Sequence, residues 1–317
     1  MSDESQRRGA ATSFDDAALV EAVGAGAMEL AEIAAAAARA GGALLVDAFA
    51  RRDELVVEVK SRNDFVSRAD RDSEEAIVAV LQQRLGERVG RILGEEGGVR
   101  GAGELEWILD PLDGTTNFLE GLPIWCVSVA ARFRGELVAG VVHEPLSGAV
   151  YLAARGGGAW LEKVTPDGAR EPGDGDAGAQ APSRVRLRVG DKAPRDAFLS
   201  TGFPFRAHTV IDQFLALFRL ALLGSRAIRR CGAAALDLAH VAAGIYDGFF
   251  EFRLSPWDVA AAALLIREAG GVVTDLDGGE RWLDSGNILA GNPEVHAQLL
   301  EWAGTVTSQE AIERAVP

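Results

Sequence analysis

The stretch WILDPLDGTTNF, at residues 107–118, joins a short apolar strand to a turn that is rich in carboxylates. The strand predicted at 107–109 runs directly into Asp110, and Pro111 restricts the backbone direction that follows. Asp113 and the glycine after it are typical of a tight turn. Two carboxylates that lie three residues apart on a rigid turn can converge on one cation.

The backbone after Asp113 offers a second kind of contact. Gly114 leads into Thr115 and Thr116, which are suited to begin a helix, and the amides of Gly114 and Thr115 would then face an anion beside the cation. An ordinary Asp-Gly turn with a threonine cap is the structural alternative. Because the stretch combines anion-binding amides with ligands for a hard metal, we favour the functional interpretation.

Two other acidic positions are open to both interpretations. Glu95 lies in GEEGG, residues 94–98, and paired glutamates in a glycine-rich turn are usually solvated. Asp70 lies ahead of a helix for which Asp72 and Ser73 are the predicted caps. Asp70 is therefore either a residue that merely precedes the cap or a member of a site.

Asp258 closes the string SPWD, which begins at Ser255. Serine is suited to cap a helix, Pro256 fits the first helical position, and an acidic residue three positions after the cap completes a good helix start. That structural role alone would be enough to explain Asp258. A carboxylate at the beginning of a helix can also bind a metal, so both roles remain open.

The remaining chemistry-bearing residues narrow the type of site. No Ser-His-Asp or Cys-His arrangement is recognisable, and carboxylate-rich sites favour Mg²⁺ or Mn²⁺ over zinc. The pattern as a whole predicts hard cations held by acidic side chains beside an anion-binding turn, which is the apparatus of metal-assisted phosphoryl hydrolysis. The four histidines are scattered without zinc-like spacing, at His143, His208, His240 and His296.

Composition limits the partners and the compartment. The chain has 317 residues, of which 48% are hydrophobic, enough to bury a large core. A formal net charge of −15 repels nucleic acid and anionic lipid, so we expect neither as a partner, and a phosphate ester would need cations to enter. Two cysteines predict no disulfide framework, and the N-terminus is polar, so a cytoplasmic protein without a membrane span is expected.

The pattern along the chain predicts a disordered leader at 1–14, an α+β domain at 15–183 and an α/β domain at 184–317. The boundary is placed in the stretch at 165–183, which is rich in glycine, proline, alanine and aspartate. Helices are predicted at 15–49 (one helix, or two joined near 24–26), 212–223, 233–243 and 256–268. Strands are predicted at 55–60, 126–133, 137–143, 149–153, 184–189, 197–201, 249–252 and 271–275.

Four strings together resemble the inositol monophosphatase family, in the family's order and over residues 15–300. They are GEE (94–96), WILDPLDGTTNF (107–118), TGFPF (201–205) and SPWDVAAAALLIREAGG (255–271). The resemblance implies an αβαβα sandwich of alternating helix and sheet layers and a lithium-sensitive, Mg²⁺-dependent phosphomonoesterase. It also implies a homodimer.

The implied substrate is a small polyol phosphate, with inositol-1-phosphate first. Fructose bisphosphate, histidinol phosphate and a phosphoadenosine phosphate are alternatives that keep the same chemistry. A regulatory binding protein is a less favoured alternative, because a family fold does not guarantee catalysis, although every implied ligand residue is present.

The resemblance also assigns metal ligands. Glu95 and Asp110 would hold a first Mg²⁺ together with the Leu112 carbonyl. Asp110 would share a second ion with Asp113 and Asp258, and a third, weaker ion would touch Glu95. Two to three Mg²⁺ ions are thus implied, with Mn²⁺ as a substitute.

Further residues would handle water and substrate. Glu95 and Thr115 would orient the attacking water, and Asp70 would be hydrogen-bonded to that threonine. Lys60 would lie near the phosphate. The resemblance places the substrate phosphate and hydroxyls against Asp113, Gly114, Thr115, Gly232, Ala234 and Glu251.

Some positions depart from the family's pattern. Leu112 stands where isoleucine is frequent, which changes little because the ligand would be its carbonyl. Ala233 stands where threonine is common, which removes a hydroxyl on the sugar side. Arg229 and Arg230 are either ordinary surface charges or residues that reach a second anionic group.

Overall fold

The computed structural model describes residues 16–54, 57–61, 64–163, 183–205 and 207–307. The predicted leader at 1–14 lies outside these ranges, and so does all but the last residue of the predicted boundary stretch.

The alanine-rich N-terminal segment forms two helices, α1 (Asp16–Val23) and α2 (Ala27–Ala50). Gly24 follows α1 with φ +75°, a backbone conformation that ends helices readily. The carboxylate of Asp16 accepts a hydrogen bond of 2.9 Å from the Ala27 amide, which ties the two helices together. The predicted joint near 24–26 is confirmed.

A short antiparallel hairpin, β1 (Val57–Ser61) and β2 (Asp64–Ser67), leads into α3 (Arg68–Leu85). The helix begins before Asp72 and Ser73, so the prediction that these two residues cap it is wrong. Ser73 is buried, and its hydroxyl donates a 3.0 Å hydrogen bond to the carbonyl of Pro111. A tertiary contact therefore uses the hydroxyl that the local pattern assigned to a cap.

The first large sheet has the strand order β10-β9-β8-β7-β6-β5-β3-β4. Its neighbours are antiparallel except for the parallel pair β3 and β5. The three predicted antiparallel strands are confirmed as β6, β7 and β8. The strands are β3 (Arg91–Gly94), β4 (Gly98–Arg100), β5 (Leu105–Asp113), β6 (Cys126–Phe133), β7 (Glu136–Glu144), β8 (Ala149–Ala154), β9 (Gly158–Lys163) and β10 (Ser183–Arg186).

The second sheet has the order β12-β11-β13-β15-β14, with β11 parallel to both of its neighbours. The predicted alternation of strands and helices in this half is confirmed, whereas β12, β15, α8 and α9 were not predicted. The strands are β11 (Phe198–Thr201), β12 (Ala227–Arg229), β13 (Gly248–Glu251), β14 (Val272–Thr274) and β15 (Ile288–Gly291). The helices are α4 (Thr115–Leu119), α5 (Ile211–Gly224), α6 (Ala234–Ala242), α7 (Pro256–Glu268), α8 (Trp282–Ser285) and α9 (Pro293–Thr307).

The elements stack in five layers, which confirms the αβαβα sandwich. Helices α2 and α3 cover one face of the first sheet, and α6 and α7 lie between the two sheets. Helices α5 and α9 pack on the far side of the second sheet. Three buried apolar clusters fill the spaces between these layers. All nine residues of β5 are buried, because helices cover both faces of its sheet.

Helix α2 has the length and composition to cross a membrane, although no span was predicted. In the structure it packs against α3 and against the strands β6, β7 and β8. Its buried residues, which include Leu30, Ile33 and Leu45, belong to the first apolar cluster. The apolar character of α2 is therefore accounted for by its place in the core.

The strand predicted at 184–189 is shorter than expected and pairs with β9 as β10. The start of the predicted second domain thus hydrogen-bonds within the first sheet. The division at residue 183 itself stays a prediction.

Candidate active site

Three aspartates meet at the junction of β5 and α7. Asp110 and Asp113 lie at the end of β5, where the pairing with β6 is interrupted between them, and Asp258 lies in the first turn of α7. One carboxylate oxygen from each of the three lies within 4.8 Å of the others. Three converging carboxylates at this separation can serve as oxygen ligands for a hard divalent cation.

Backbone amides hold each of these carboxylates in place. Asp110 accepts a hydrogen bond from the Leu112 amide at 3.0 Å, and Asp113 accepts one from the Ala235 amide at 2.8 Å. Asp258 accepts one from the Ser255 amide at 2.7 Å, which completes the predicted capping box. A carboxylate has about four acceptor positions, so these bonds leave capacity for a cation. The ligand set is therefore orientated before any ion binds.

The electrostatics of the cluster favour the binding of a positive charge. Burial raises the pKa of Asp110 well above its usual range, and the negative charges of Glu95, Asp113 and Asp258 raise it further. Burial also raises the pKa of Asp113. A divalent cation would remove the repulsion and favour the ionised forms. The all-oxygen donor set and its unfavourable charge density fit Mg²⁺ or Mn²⁺.

Glu95 reaches the same region from the turn between β3 and β4. Gly94 pairs with Leu109 in the parallel register of β3 and β5, so Glu95 comes next to Asp110. The amide of Glu95 donates a 3.2 Å hydrogen bond to the carbonyl of Leu109. Glu95 is outside the group of three converging aspartates, but it lines the same cavity and its charge acts on Asp110.

The turn that carries Glu95 is held by a residue that sequence reasoning missed. Glu74 of α3 is buried and accepts 2.9 Å hydrogen bonds from the amides of Glu96 and Gly97. An acidic residue near the start of a helix is usually solvated, so the local pattern around Glu74 gives no signal of this buried role.

A cavity of about 390 Å³ contains most of the predicted site. Its wall extends from the aspartate cluster across α4 and the start of α6 to the end of β13. The structure therefore brings together residues that are far apart in the sequence. The predicted site residues in its wall are Glu95, Asp110, Leu112, Asp113, Gly114, Thr115, Gly232, Ala234, Glu251 and Asp258.

Thr115 connects the cavity to Asp70. The Thr115 hydroxyl lies 3.1 Å from the Leu112 carbonyl and 3.4 Å from Oδ1 of Asp70, so its single proton can be donated to either acceptor. Thr115 is therefore positioned to make the hydrogen bond that was expected with Asp70. Lys60 belongs to β1, but its side chain lies outside the described residues.

Glu251 closes the other end of the cavity. It is buried at the end of β13, and burial raises the pKa of its carboxyl well above the usual range, with a further contribution from the charge of Asp258. Gly202 packs directly on it, since a Cβ at this position would lie 2.0 Å from a Glu251 oxygen. The glycine of TGFPF thus makes room for the carboxylate.

Asp237 also lines the cavity and was not predicted. It is buried in α6, and its carboxylate accepts a 2.6 Å hydrogen bond from the Ser200 hydroxyl. Burial raises the pKa of Asp237 from an ordinary 3.8 to about 7. In the sequence, the only signal was that Asp237 is a single acidic residue within the apolar run AAALDLA. A helix pattern alone assigns such a residue to the solvent face.

The raised pKa of Asp237 predicts a pH-dependent stability. The pKa of Asp237 is higher in the folded state than in the unfolded state. The contribution of Asp237 to the free energy of unfolding is therefore fully present below about pH 4 and is lost as the pH rises towards 7. Relative to Asp237→Asn, the metal-free wild type should lose up to about 1.4 kcal/mol of unfolding free energy per pH unit in this window. Denaturant titrations from pH 4 to 8 measure this difference. Asp191→Asn, at an exposed position, is the control, and a pH-independent difference for Asp237→Asn would contradict the assignment.

The sequence of this chain is similar to those of several known proteins. A sequence profile described as "Inositol monophosphatase family" matches residues 27–308. The Nus factor SuhB of Pseudomonas aeruginosa is 42% identical over 275 residues, covering 84% of this chain and 93% of the relative. The inositol-1-monophosphatase of Mesorhizobium japonicum is 41% identical over 268 residues, covering 84% of this chain and 92% of the relative.

A solved structure adds the same relationship at the level of the fold. The crystal structure of extragenic suppressor protein suhB from Bartonella henselae superposes with a TM-score of 0.76 at 35% identity. The match covers 86% of this chain and 98% of that one. This chain belongs to the inositol monophosphatase family.

Proposed function

We propose that this protein is a Mg²⁺-dependent phosphatase that hydrolyses a small polyol phosphate monoester, with inositol-1-phosphate as the first candidate. The observation that carries the proposal is the convergence of Asp110, Asp113 and Asp258 within 4.8 Å of one another in the wall of a cavity. Family membership supports it, because the family comprises metal-dependent phosphatases that act on small phosphate esters.

Four acidic residues and one backbone carbonyl would hold the cations. Asp110, Asp113 and Asp258 would hold the cations, together with Glu95 and the Leu112 carbonyl. When bound, Mg²⁺ supplies charge neutralisation for the phosphate and lowers the pKa of a coordinated water. Two to three ions per site are proposed, with Mn²⁺ as a substitute.

The attacking water would be orientated by Glu95 and Thr115. When the Thr115 hydroxyl donates its proton to Asp70 or to the Leu112 carbonyl, its oxygen keeps lone pairs that can accept a hydrogen bond from water. Glu95 offers a carboxylate that can accept the second proton. These groups therefore hold the water in one orientation and increase its effective concentration at the phosphorus atom.

The substrate would bind across the same cavity. The amides of Gly114 and Thr115 would donate to phosphate oxygens, and Lys60 would add a positive charge near the phosphate. Glu251 and the backbone at Gly232 and Ala234 would contact the polyol hydroxyls. Asp113 would lie close to the ester oxygen.

A phosphate-release assay tests the function. Inositol-1-phosphate, fructose bisphosphate, histidinol phosphate and a phosphoadenosine phosphate are each assayed with Mg²⁺, with Mn²⁺ and with a chelator. We expect release that the chelator abolishes and added Mg²⁺ restores, with inhibition by lithium. The proposal fails if none of these esters is hydrolysed with either metal, and the first-choice substrate fails if only another ester is hydrolysed.

A second candidate role is that of a Nus factor, the name carried by the Pseudomonas aeruginosa relative at 42% identity. Complementation of a Pseudomonas aeruginosa strain that lacks this relative tests the role separately from catalysis. If wild type and Asp110→Asn complement equally, the role is independent of hydrolysis. If neither complements, the second role does not apply to this chain.

We further propose a cytoplasmic homodimer that binds neither membranes nor nucleic acid directly. The net charge of −15 supports the absence of direct contact with anionic polymers and lipids. The two free cysteines, Cys126 and Cys231, suit a reducing compartment. Sedimentation velocity tests the dimer, and retention of a labelled oligonucleotide tests the absence of nucleic-acid binding.

A further inference from the structure

Arg230 lies in the cavity wall between β12 and α6. Its guanidinium carbon is 5.1 Å from the ring centroid of Phe203 and 5.1 Å from that of Phe205. The two rings meet edge to face, with centroids 5.7 Å apart, and they remain 39% and 48% exposed. Both rings also line the cavity, so the guanidinium is held at the edge of the site by two aromatic contacts.

Arg230 makes no ion pair with a carboxylate among the residues that the structure describes. Many arginines of the described chain form ion pairs, such as Arg132 with Glu106 and Arg184 with Glu162. Within the described ranges, Arg230 forms none, although its charge acts on Asp237 and Glu251 across the cavity. A planar guanidinium with five N–H donors that is fixed in position suits bidentate contacts to a phosphate or carboxylate.

A second arginine in the same wall is held at a conformational cost. Arg253 lines the cavity and has φ +62°, a left-handed conformation that is unfavourable for a non-glycine residue. Its amide donates a 3.3 Å hydrogen bond to the Asn287 side chain, which helps to hold this conformation. The wall that contains the metal-binding carboxylates therefore also carries two exposed cations.

We propose that Arg230, assisted by Arg253, is a specificity-determining residue that binds a second anionic group of the substrate. Esters that carry a further phosphate or a carboxylate are then preferred over esters whose only anion is the scissile phosphate. The sequence leaves open whether Arg230 is an ordinary surface charge or a residue that reaches a second anionic group. The cavity geometry favours the second anionic group. This inference rests on the proposed phosphatase function. Among the candidate substrates, it ranks doubly anionic esters such as fructose bisphosphate above inositol-1-phosphate.

Matched pairs of esters test the subsite. Fructose 1,6-bisphosphate is compared with fructose 1-phosphate, and 3-phosphoglycerate with glycerol 3-phosphate, so that a second phosphate and a carboxylate are judged separately. R230Q should lower kcat/KM about tenfold to a hundredfold for the preferred doubly anionic ester, mainly through KM. It should change kcat/KM for the singly anionic partner by less than about threefold, and R230K should restore part of the loss because it keeps the charge without the planar donors.

Arg229 provides the matched control. It is the neighbouring residue, its guanidinium lies 4.9 Å from the Phe198 ring centroid, and it is outside the cavity wall. R229Q removes the same net charge and should leave the ratio of the two esters unchanged. Equal losses on both esters in R230Q, or no wild-type preference within either pair, would overturn the subsite while leaving the phosphatase proposal intact.

Calorimetry separates this inference from a failure of the proposed function. If no ester is hydrolysed, the same pairs of esters are titrated into wild type and R230Q in the presence of Ca²⁺, a divalent cation that binds oxygen ligands. Tighter binding of the doubly anionic ester that is lost in R230Q supports the subsite. Equal affinities of wild type and R230Q for the doubly anionic ester overturn the subsite.

Discussion

Replacing Asp110 by Asn is expected to lower kcat with Mg²⁺ by at least about a thousandfold and to stabilise the metal-free protein against heat. The rate falls because Asp110, which we propose as a metal ligand, loses its charge, and charge stabilisation by a bound metal supplies several kcal/mol of catalysis. Stability rises because Asp110 is buried beside Glu95, Asp113 and Asp258, whose charges repel it. An Asn oxygen can still accept the Leu112 amide, so the local fold is retained.

Thermal unfolding with and without Mg²⁺ measures both effects. The wild type should gain stability as Mg²⁺ is added, since an ion that binds only the folded state raises the unfolding midpoint, whereas Asp110→Asn should gain much less. Asp196→Asn, at an exposed position, is the control and should behave as wild type in both assays. An Asp110→Asn variant that keeps kcat within tenfold of wild type would exclude Asp110 as a metal ligand.

Replacing Gly114 by Ala should destabilise the protein by about 2–5 kcal/mol and remove most of its phosphatase activity. Gly114 has φ +93°, where an alanine costs about 1–2 kcal/mol. Its Cβ would also lie 2.9 Å from the Ile124 carbonyl oxygen and 3.3 Å from Cβ of Ala233, and such crowding adds about 1–3 kcal/mol. Relief of the contact must move the turn that carries Asp113 and Thr115.

Gly135→Ala separates backbone strain from crowding. Gly135 has φ +86°, but a Cβ there meets nothing within 4 Å. We expect this control to lose about 1–2 kcal/mol of unfolding free energy and to keep full activity. Denaturant unfolding and phosphate release on the two variants give the comparison. Equal losses of stability, or full activity in Gly114→Ala, would show that the close approach at Gly114 has no role in the site.

Local chemistry explains which parts of the fold could be predicted. Helix α7 was predicted with its bounds because Ser255, Pro256 and Asp258 define its start through short-range hydrogen bonds. The strands β6, β7 and β8 were predicted because each is a short, mainly apolar segment between polar or glycine-containing turns. The start of α3 was wrong, because the buried hydroxyl of Ser73 bonds to Pro111, far away in the chain.

In the candidate site too, residues placed by their sequence neighbours could be predicted, whereas residues placed by distant contacts could not. Asp110, Asp113 and Gly114 were recognisable because a strand, a proline and a turn place them within a few residues of one another. Glu74 and Asp237 were missed because each is an acidic residue in a helix, and its burial depends on which layer covers that helix. A single sequence contains no signal for that burial beyond the surrounding apolar residues.

By itself the sequence determined the conformations that arise within one turn of backbone: the Asp-Gly bend after β5 and the capped start of α7. Only the tertiary structure decided that Asp258 lies beside Asp110 and Asp113, because α7 packs on β5 and β6 between the two sheets. It also placed Arg230 against Phe203 and Phe205, through the parallel pairing of β11 with β12. Hydrogen bonds within a turn need only neighbouring residues, whereas these contacts exist only once distant segments have packed together.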